Sequence, residues 1–410
     1  MDGILACNSS HHLQRLKYYN RAYFKALRAH SINITFKGEP AMKNILDNTP
    51  EILLMGPGPS LVSDSVLNAL AKKTVGHLDP YFLSLMDETK IMLQLLLGTN
   101  NQYTIPISGT GSAGMETCFV NLVEKGDRVL ILSNGVFGLR MIDVAGRLGA
   151  EVDKLEFPFG QAVQVETVQQ KLQGQKYKIV AVVHAETSTG VLNPVAEIGE
   201  LLKGSDTLYL VDTVTSLGGI EVSMDKWGID ALYSGTQKCL SCPPGLSPVS
   251  FSDRAMEAVK QRATKVPNWY LDLTMIANYW GQSRAYHHTA PINMLYGFYQ
   301  ALYNFFEEGA DNVFLRHQLA HQQLVKGLAE LGLAMLVEEK SRLPMLNAVI
   351  APDGVEEAAI RKRLRTEFQI EIGGGLGALA GKIWRIGLMG HTARPERVNR
   401  FLTALSQALK

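Results

Sequence analysis

Only four cysteines occur in 410 residues, Cys7, Cys118, Cys239 and Cys242, too few to staple a fold of this length and in keeping with a reducing compartment. Cys239 and Cys242 do form a C-x-x-C. A structural zinc would want a second pair or suitably spaced histidines, which do not accompany it, so both read as small buried or half-buried residues. No metal is expected. Long apolar runs are missing as well: none reaches the roughly 18 residues of a membrane span. Charge of one sign is lacking, since 40 basic residues against 39 acidic ones leave +1. Nucleic acid or a membrane surface would want a clustered basic face, so neither is expected as a partner. These absences leave a soluble globular chain, expected in the cytoplasm.

What is present is size and alternation. The length exceeds the usual single-domain range of about 100–200 residues, and a core this large needs no covalent support. Residues 1–45 are rich in Arg and Lys and poor in acids. They read as an extension, or an arm lying on a partner subunit, and lack the continuous apolar stretch of a secretory signal. A large domain is expected over 46–290 and a smaller one over 291–410. In the first, short β-rich runs alternate with helical stretches: Tyr103–Ser108, Arg128–Ser133, Lys178–His184, Thr207–Asp212, Ala231–Ser234 and Ser247–Ser252. That pattern implies β-α units, a mostly parallel sheet, and ligands at the carboxyl ends of its strands. Beyond residue 290, helices over about Ile292–Gly309 and Asn312–Leu331 lead to an α+β region closed by a helix over Arg394–Leu409.

Asp212 and Lys238 fall at neighbouring strand ends. A lysine amine, with a free pKa near 10.4, is a poor nucleophile at neutral pH, but partial burial beside cations or an aldehyde cofactor turns it into a Schiff-base former. A carboxylate facing a pyridine nitrogen keeps that nitrogen protonated and the ring electron-accepting. Each residue has a blander reading alone. An Asp at a strand end often caps a helix, and a Lys in a Gly/Ser loop is usually solvated. In register on one sheet they point to a site.

Ser108-Gly109-Thr110-Gly111-Ser112-Ala113-Gly114 lies between a strand and a helix expected to start near Met115. Glycine-rich backbone at a helix N-terminus offers free N–H groups and a positive dipole end, a seat for phosphate. The dipole supplies only about 0.3–2 kcal/mol, so a dianion needs further donors, for which Thr110, Ser112 and Gln237 are candidates. The same segment spells G-x-G-x-x-G and opens a rival reading, an NAD-dependent dehydrogenase. That rival wants an acid at the end of the next strand to hold a ribose. Here the strand runs into Ser133-Asn134-Gly135, with no acid.

Arg385 sits in an apolar strand, where an unpaired guanidinium is costly. Its mate is either a substrate carboxylate or a local Asp or Glu. His317 and His321 share a helical face at i, i+4 and read as solvated. Tyr286-His287-His288-Thr289 is a polar and aromatic loop cluster of no fixed meaning by composition.

Taken together, these residues resemble the class V aminotransferases, in particular the alanine–glyoxylate and serine–pyruvate group. The matching stretches are Met55–Pro59, Ser108–Gly114, Glu186–Gly190, Val211–Thr213, Ser234–Lys238, Pro243–Gly245, Tyr286–Thr289 and Arg385–Gly387. Their joint order and spacing, over about residues 50–408, carry the likeness. It implies a fold type I α/β enzyme dependent on pyridoxal 5'-phosphate. Its large domain would hold a mixed, mainly parallel seven-stranded sheet, and a smaller C-terminal α+β domain would follow.

The resemblance also implies roles. Lys238 would carry the cofactor and then move a proton as acid and base, while Asp212 would pair with the pyridinium nitrogen. Thr110, Gly111, Ser112 and Gln237 would bind the phosphate. Tyr286 and Thr289 would reach it from the partner of a homodimer. Phe137 would stack on the ring, where relatives often carry Trp. Thr187 would lie near the ring hydroxyl, Arg385 would take the substrate carboxylate, and Gly58, Gly76 and His77 would line the substrate mouth. The implied activity passes the amino group of alanine or serine to glyoxylate or pyruvate in a ping-pong cycle. Ureidoglycine, hydroxykynurenine or aminoethylphosphonate are alternative donors. A cysteine desulfurase is disfavoured, because no cysteine follows Cys242.

Overall fold

Seven short segments, most of them aliphatic and β-branched, become the strands of one sheet. They are β1 (Tyr103–Ser108), β2 (Arg128–Ser133), β3 (Glu151–Glu156), β4 (Ile179–Val183), β5 (Leu208–Asp212), β6 (Ala231–Tyr233) and β7 (Leu246–Phe251). The computed structural model describes residues 44–410. The expected arm therefore lies outside the described residues but for its last two positions. Residues 44–51 carry a 3-10 turn, Ile45–Asn48, whose cap is the Asn44 side chain. Ile52 to Lys410 form one compact unit.

The sheet order is β1-β7-β6-β5-β4-β2-β3. β7 is antiparallel to both neighbours, and the remaining pairs are parallel. The expected mixed, mainly parallel sheet is thus present. β4 and β5 are buried along their whole length, as a strand covered on both faces must be, and this is why they read as continuous apolar runs. β3 gave no such run. It is an edge strand, Glu-Val-Asp-Lys-Leu-Glu, with every residue half-buried or exposed, and its charges blunt a free sheet edge.

Six strands run in the same direction, so their carboxyl ends share one rim. Asp212 lies opposite Val183 of β4 and Tyr233 of β6 there. The helix after β1 is Gly111–Leu122, with Thr110 as its N-cap. It begins four residues before the Met115 start expected from sequence. Glycine is a poor helix former, and the sequence gives no weight to the burial of Gly111 and Gly114. A Cβ on Gly114 would stand 2.9 Å from the Tyr233 Cβ, so glycine lets this helix lie flat on the sheet.

The C-terminal region packs the helices Ala310–Glu330 and Pro395–Ala408 with a small antiparallel sheet, while the helix Ile292–Glu308 buries its apolar face in the large core. In that sheet Ile383–Gly387 runs between Leu346–Ile350 and Gly373–Gly374. Leu324, Val349, Trp384, Phe401 and Leu405 form an apolar cluster that also takes in Leu53 and Met55. The loop after Met55 is pinned at both ends. The Gly387 N–H donates to the Met55 carbonyl at 2.7 Å, and the Ser60 N–H to the Gln237 carbonyl at 2.9 Å.

The reading of His317 and His321 as a solvated face is wrong: both are buried. His317 Nδ1 lies 2.7 Å from the Val313 carbonyl, and its Nε2 accepts from the Gly390 N–H. His321 Nδ1 bonds Asn347 Oδ1 at 2.7 Å. His317 in particular, with both nitrogens partnered, is a structural device, and i, i+4 spacing cannot distinguish such a buried pair from a solvated one. Among the described residues no helix is long and apolar enough to cross a membrane, and no group of three or more His, Cys, Asp or Glu is placed to hold a metal ion.

Candidate active site

Strand ends bring Asp212 and Lys238 to the rim together. Asp212 closes β5 and is buried, its Oδ1 accepting from the Val214 N–H and its Oδ2 from the Tyr233 hydroxyl, both at 2.8 Å. Burial pushes its carboxyl up to about 7. No lysine or arginine forms an ion pair with it among the described residues. Lys238 follows β6, with its ammonium hydrogen-bonded to the Pro57 carbonyl. Burial pulls its amine down to about 8, and the positive charge of Arg385 works in the same direction. Ser60 Oγ donates to the Lys238 carbonyl at 2.6 Å, so the pinned 56–60 loop fixes the lysine backbone. Gly58 has a positive φ of 104°, and a Cβ there would stand 2.7 Å from the Lys238 Nζ. Any larger residue would displace the amine.

The glycine-rich segment forms the other side. Thr110 makes no side-chain cap, and the amides of Gly111 and Ser112, in the first turn, find no acceptor within the chain among the described residues. Gln237 Oε1 is buried and also without a partner. Phe137 opens the helix Val136–Arg147, half-buried, with the Arg140 guanidinium 4.7 Å from the ring centroid. Sequence reading missed Arg140, although i, i+3 spacing from an aromatic is a usable signal. It also missed Tyr233, whose hydroxyl engages Asp212.

Arg385 answers the question its strand posed. Its guanidinium donates to two carbonyls, Gly374 O at 2.7 Å and Thr187 O at 3.2 Å, and forms no ion pair with a carboxylate among the described residues. Thr187 is itself buried on the same rim. The guanidinium keeps donors free for an incoming carboxylate.

Four expected residues stand apart from this group. Tyr286 and Thr289 are exposed and share a 3.2 Å contact between their hydroxyls. The Tyr286 ring packs on His77 at 5.1 Å between centroids, and Gly76 is exposed beside it. The loop is tied to the phosphate segment through His288, whose Nε2 meets the Ser108 hydroxyl at 2.8 Å. Cys239 and Cys242 are buried free thiols, each pushed up to about 12 by burial, and Cys239 donates to the Thr215 carbonyl. Neither is poised to react.

With that geometry in place, the comparisons decide the family. The model for aminotransferase class V matches residues 61–394.

The chain belongs to the class V aminotransferases.

It is 41% identical over 366 residues to the alanine–glyoxylate aminotransferase of Drosophila melanogaster, covering 88% of this chain and 93% of that one. To the (S)-ureidoglycine–glyoxylate transaminase of Bacillus subtilis it is 37% identical over 379 residues, with 88% and 91% covered. The crystal structure of an alanine–glyoxylate aminotransferase from Nostoc superposes with a TM-score of 0.88 at 47% identity, covering 92% of this chain and all of that one. The fold is therefore that of the fold type I aminotransferases, and pyridoxal phosphate is the cofactor the family implies. The site fits it. A buried carboxylate without a cation among the described residues and free amides at a helix N-terminus are complementary to a pyridinium and a phosphate, and the Gln237 amide, turned to present its NH2, would add a donor.

Proposed function

We propose that this aminotransferase moves the amino group of alanine or serine to glyoxylate or pyruvate, as a homodimer in a reducing, cytoplasmic setting. The observation that carries the reading is Arg385, a buried guanidinium with no carboxylate partner among the described residues, facing the same rim as Lys238 and Asp212. The names of the Drosophila melanogaster and Nostoc relatives support alanine and glyoxylate.

Bound pyridoxal phosphate supplies an electron-accepting ring that makes the Cα–H of an attached amino acid acidic. The rest is done by this chain. Lys238, whose amine is pulled down to about 8, is neutral about a tenth of the time at pH 7, far more than a free lysine. Its Nζ would hold the cofactor and, once freed by the incoming amine, would serve as the base that takes the Cα proton and the acid that gives it back. Asp212 stays anionic beside the pyridinium, offsetting its burial cost. A charged hydrogen bond of this kind is worth roughly 1.5–3 kcal/mol. Thr110, Gly111, Ser112 and Gln237 hold the phosphate. Phe137 packs on the ring, Thr187 borders its hydroxyl side, and Arg385 orients the α-carboxylate. Gly58 keeps the amine clear.

Tyr286 and Thr289, exposed in one chain, complete the phosphate seat of the partner, with Gly76 and His77 at the mouth. Exposed Leu78, Tyr81, Leu95 and Trp269 supply the apolar surface a dimer would cover. Residues 46–290 and 291–410 serve as the large and small domains in this reading.

The test is spectroscopic. The visible band of bound pyridoxal phosphate should bleach on adding L-alanine or L-serine alone and return with glyoxylate, while Lys238→Ala gives no such band before substrate. A protein that binds no pyridoxal phosphate would refute the reading. Ureidoglycine is the second reading, favoured by the Bacillus subtilis relative, and a band that answers to it alone replaces the donor.

A further inference from the structure

One buried carboxylate joins the wall that carries Phe137 to the turn that carries Thr187. Glu186, fully buried, takes four hydrogen bonds. Its Oε1 accepts from the Ser188 N–H at 3.0 Å and from Ser188 Oγ at 2.5 Å. Its Oε2 accepts from the Phe137 N–H at 3.1 Å and the Gly138 N–H at 3.3 Å. Ser188 Oγ in turn accepts from the Val136 N–H at 2.9 Å. The first three amides of the helix Val136–Arg147 are thus capped from a distant turn, since the N-cap, Gly135, has no side chain to offer. That cap depends on the glycine: a Cβ on Gly135 would lie 2.3 Å from the Glu186 Cδ and 2.5 Å from Ser188 Oγ.

Every partner of the carboxylate donates, and the Ser188 oxygen is already an acceptor for Val136. Burial raises the Glu186 carboxyl, while the hydrogen bonds from Ser188, Phe137 and Gly138 and the positive end of the helix work the other way and favour its ionised form.

We infer that Glu186 is a positioning residue, whose charge sets both the pitch of Phe137 over the cofactor ring and the bite of Arg385 on the substrate carboxylate. The first arm is direct, through the Phe137 amide. The second runs through the turn: Glu186 fixes Ser188, and the Thr187 carbonyl between them is one of the two acceptors that aim the Arg385 guanidinium. The inference rests on the functional reading above, which places cofactor and carboxylate against these two side chains.

Glu186→Gln keeps the shape and removes the fit. An amide has one accepting oxygen, so its NH2 must face either the Phe137 and Gly138 amides or the Ser188 pair. In the protein loaded with cofactor, pyridoxal phosphate should bind about 10-fold more weakly, the equivalent of one net hydrogen bond lost. The visible circular dichroism of the bound cofactor should change in amplitude as the ring tilts. KM for the amino donor should rise about fivefold, by more than kcat falls. Ser188→Ala, which deletes one donor and little volume, should move all three readouts the same way by smaller factors. It keeps the test open if Glu186→Gln does not fold. A lowered Tm with unchanged cofactor affinity, dichroism and KM in whichever variant folds would make Glu186 a structural cap only and overturn the inference. A wild-type protein that fails to bind pyridoxal phosphate would instead sink the functional reading.

Discussion

The rim around Asp212 and the loop around Tyr286 are built on opposite principles. At the rim the functional groups are buried, and most are hydrogen-bonded within the chain: Asp212 to Tyr233 and Val214, Glu186 to four donors, Arg385 to two carbonyls. The atoms left unsatisfied there suit a cofactor and a carboxylate. In the loop the corresponding side chains stand in solvent, with Tyr286 59% exposed and Trp269 equally so. In the proposed dimer, one half of the site is finished by folding and the other half would serve a second chain. The rim should therefore respond to substitution within its own subunit, and the loop across a subunit boundary.

The largest effect should come from the rim. Lys238→Ala should lower kcat by about 10⁴-fold, the upper range for a positioned proton carrier, with far-ultraviolet dichroism unchanged. A residual rate within tenfold of wild type would mean that another base does the work. Arg385→Leu comes next, with kcat/KM for α-carboxylate donors falling about 100-fold, as when one partner of a desolvated charge pair is removed. Asp212→Asn should weaken cofactor binding about 10–100-fold, the equivalent of roughly 1.5–3 kcal/mol, measured by equilibrium titration.

The loop supplies the sharper contrast. Lys238→Ala mixed with the double variant Tyr286→Ala, Thr289→Ala should regain activity that neither has alone. A mixed dimer rebuilds one intact site, giving roughly a quarter of the wild-type rate for random pairing. Absence of any gain, with mixed dimers shown to form, would place both halves of the site in one chain.

The smallest effect concerns pH. In the fold the Asp212 carboxyl is raised to about 7, above the roughly 3.9 of an unfolded chain. Native protein stripped of cofactor therefore takes this proton more readily than the unfolded chain. The stability it contributes is full at acid pH and is lost as pH rises from about 4 through 7. Asp212→Asn should flatten that part of the Tm profile. An unchanged slope would show that the carboxyl titrates normally.

Much of this was legible because rim chemistry follows the backbone. Alternating runs placed β1, β2 and β4 to β7 within a residue or two, and strand ends then located Asp212 and Lys238. The edge strand β3 escaped because its charges break any apolar run, and the helix at Gly111 because propensity undervalues buried glycine. His317 and His321 were misread because spacing carries no information about burial. Glu186 was visible only as part of a matching stretch, since its partners Phe137 and Gly138 lie almost 50 positions away. Such a bond is made by tertiary packing, and single-sequence periodicity has no term for it.

The most direct test of the central claim is a half-reaction with isotopically labelled alanine, the protein loaded with pyridoxal phosphate and no keto acid present. Transamination by Lys238 predicts about one pyruvate per chain and then arrest, with the retained nitrogen released as glycine only after glyoxylate is added. Continued pyruvate release without an acceptor, or labelled ammonia in place of glycine, would contradict it.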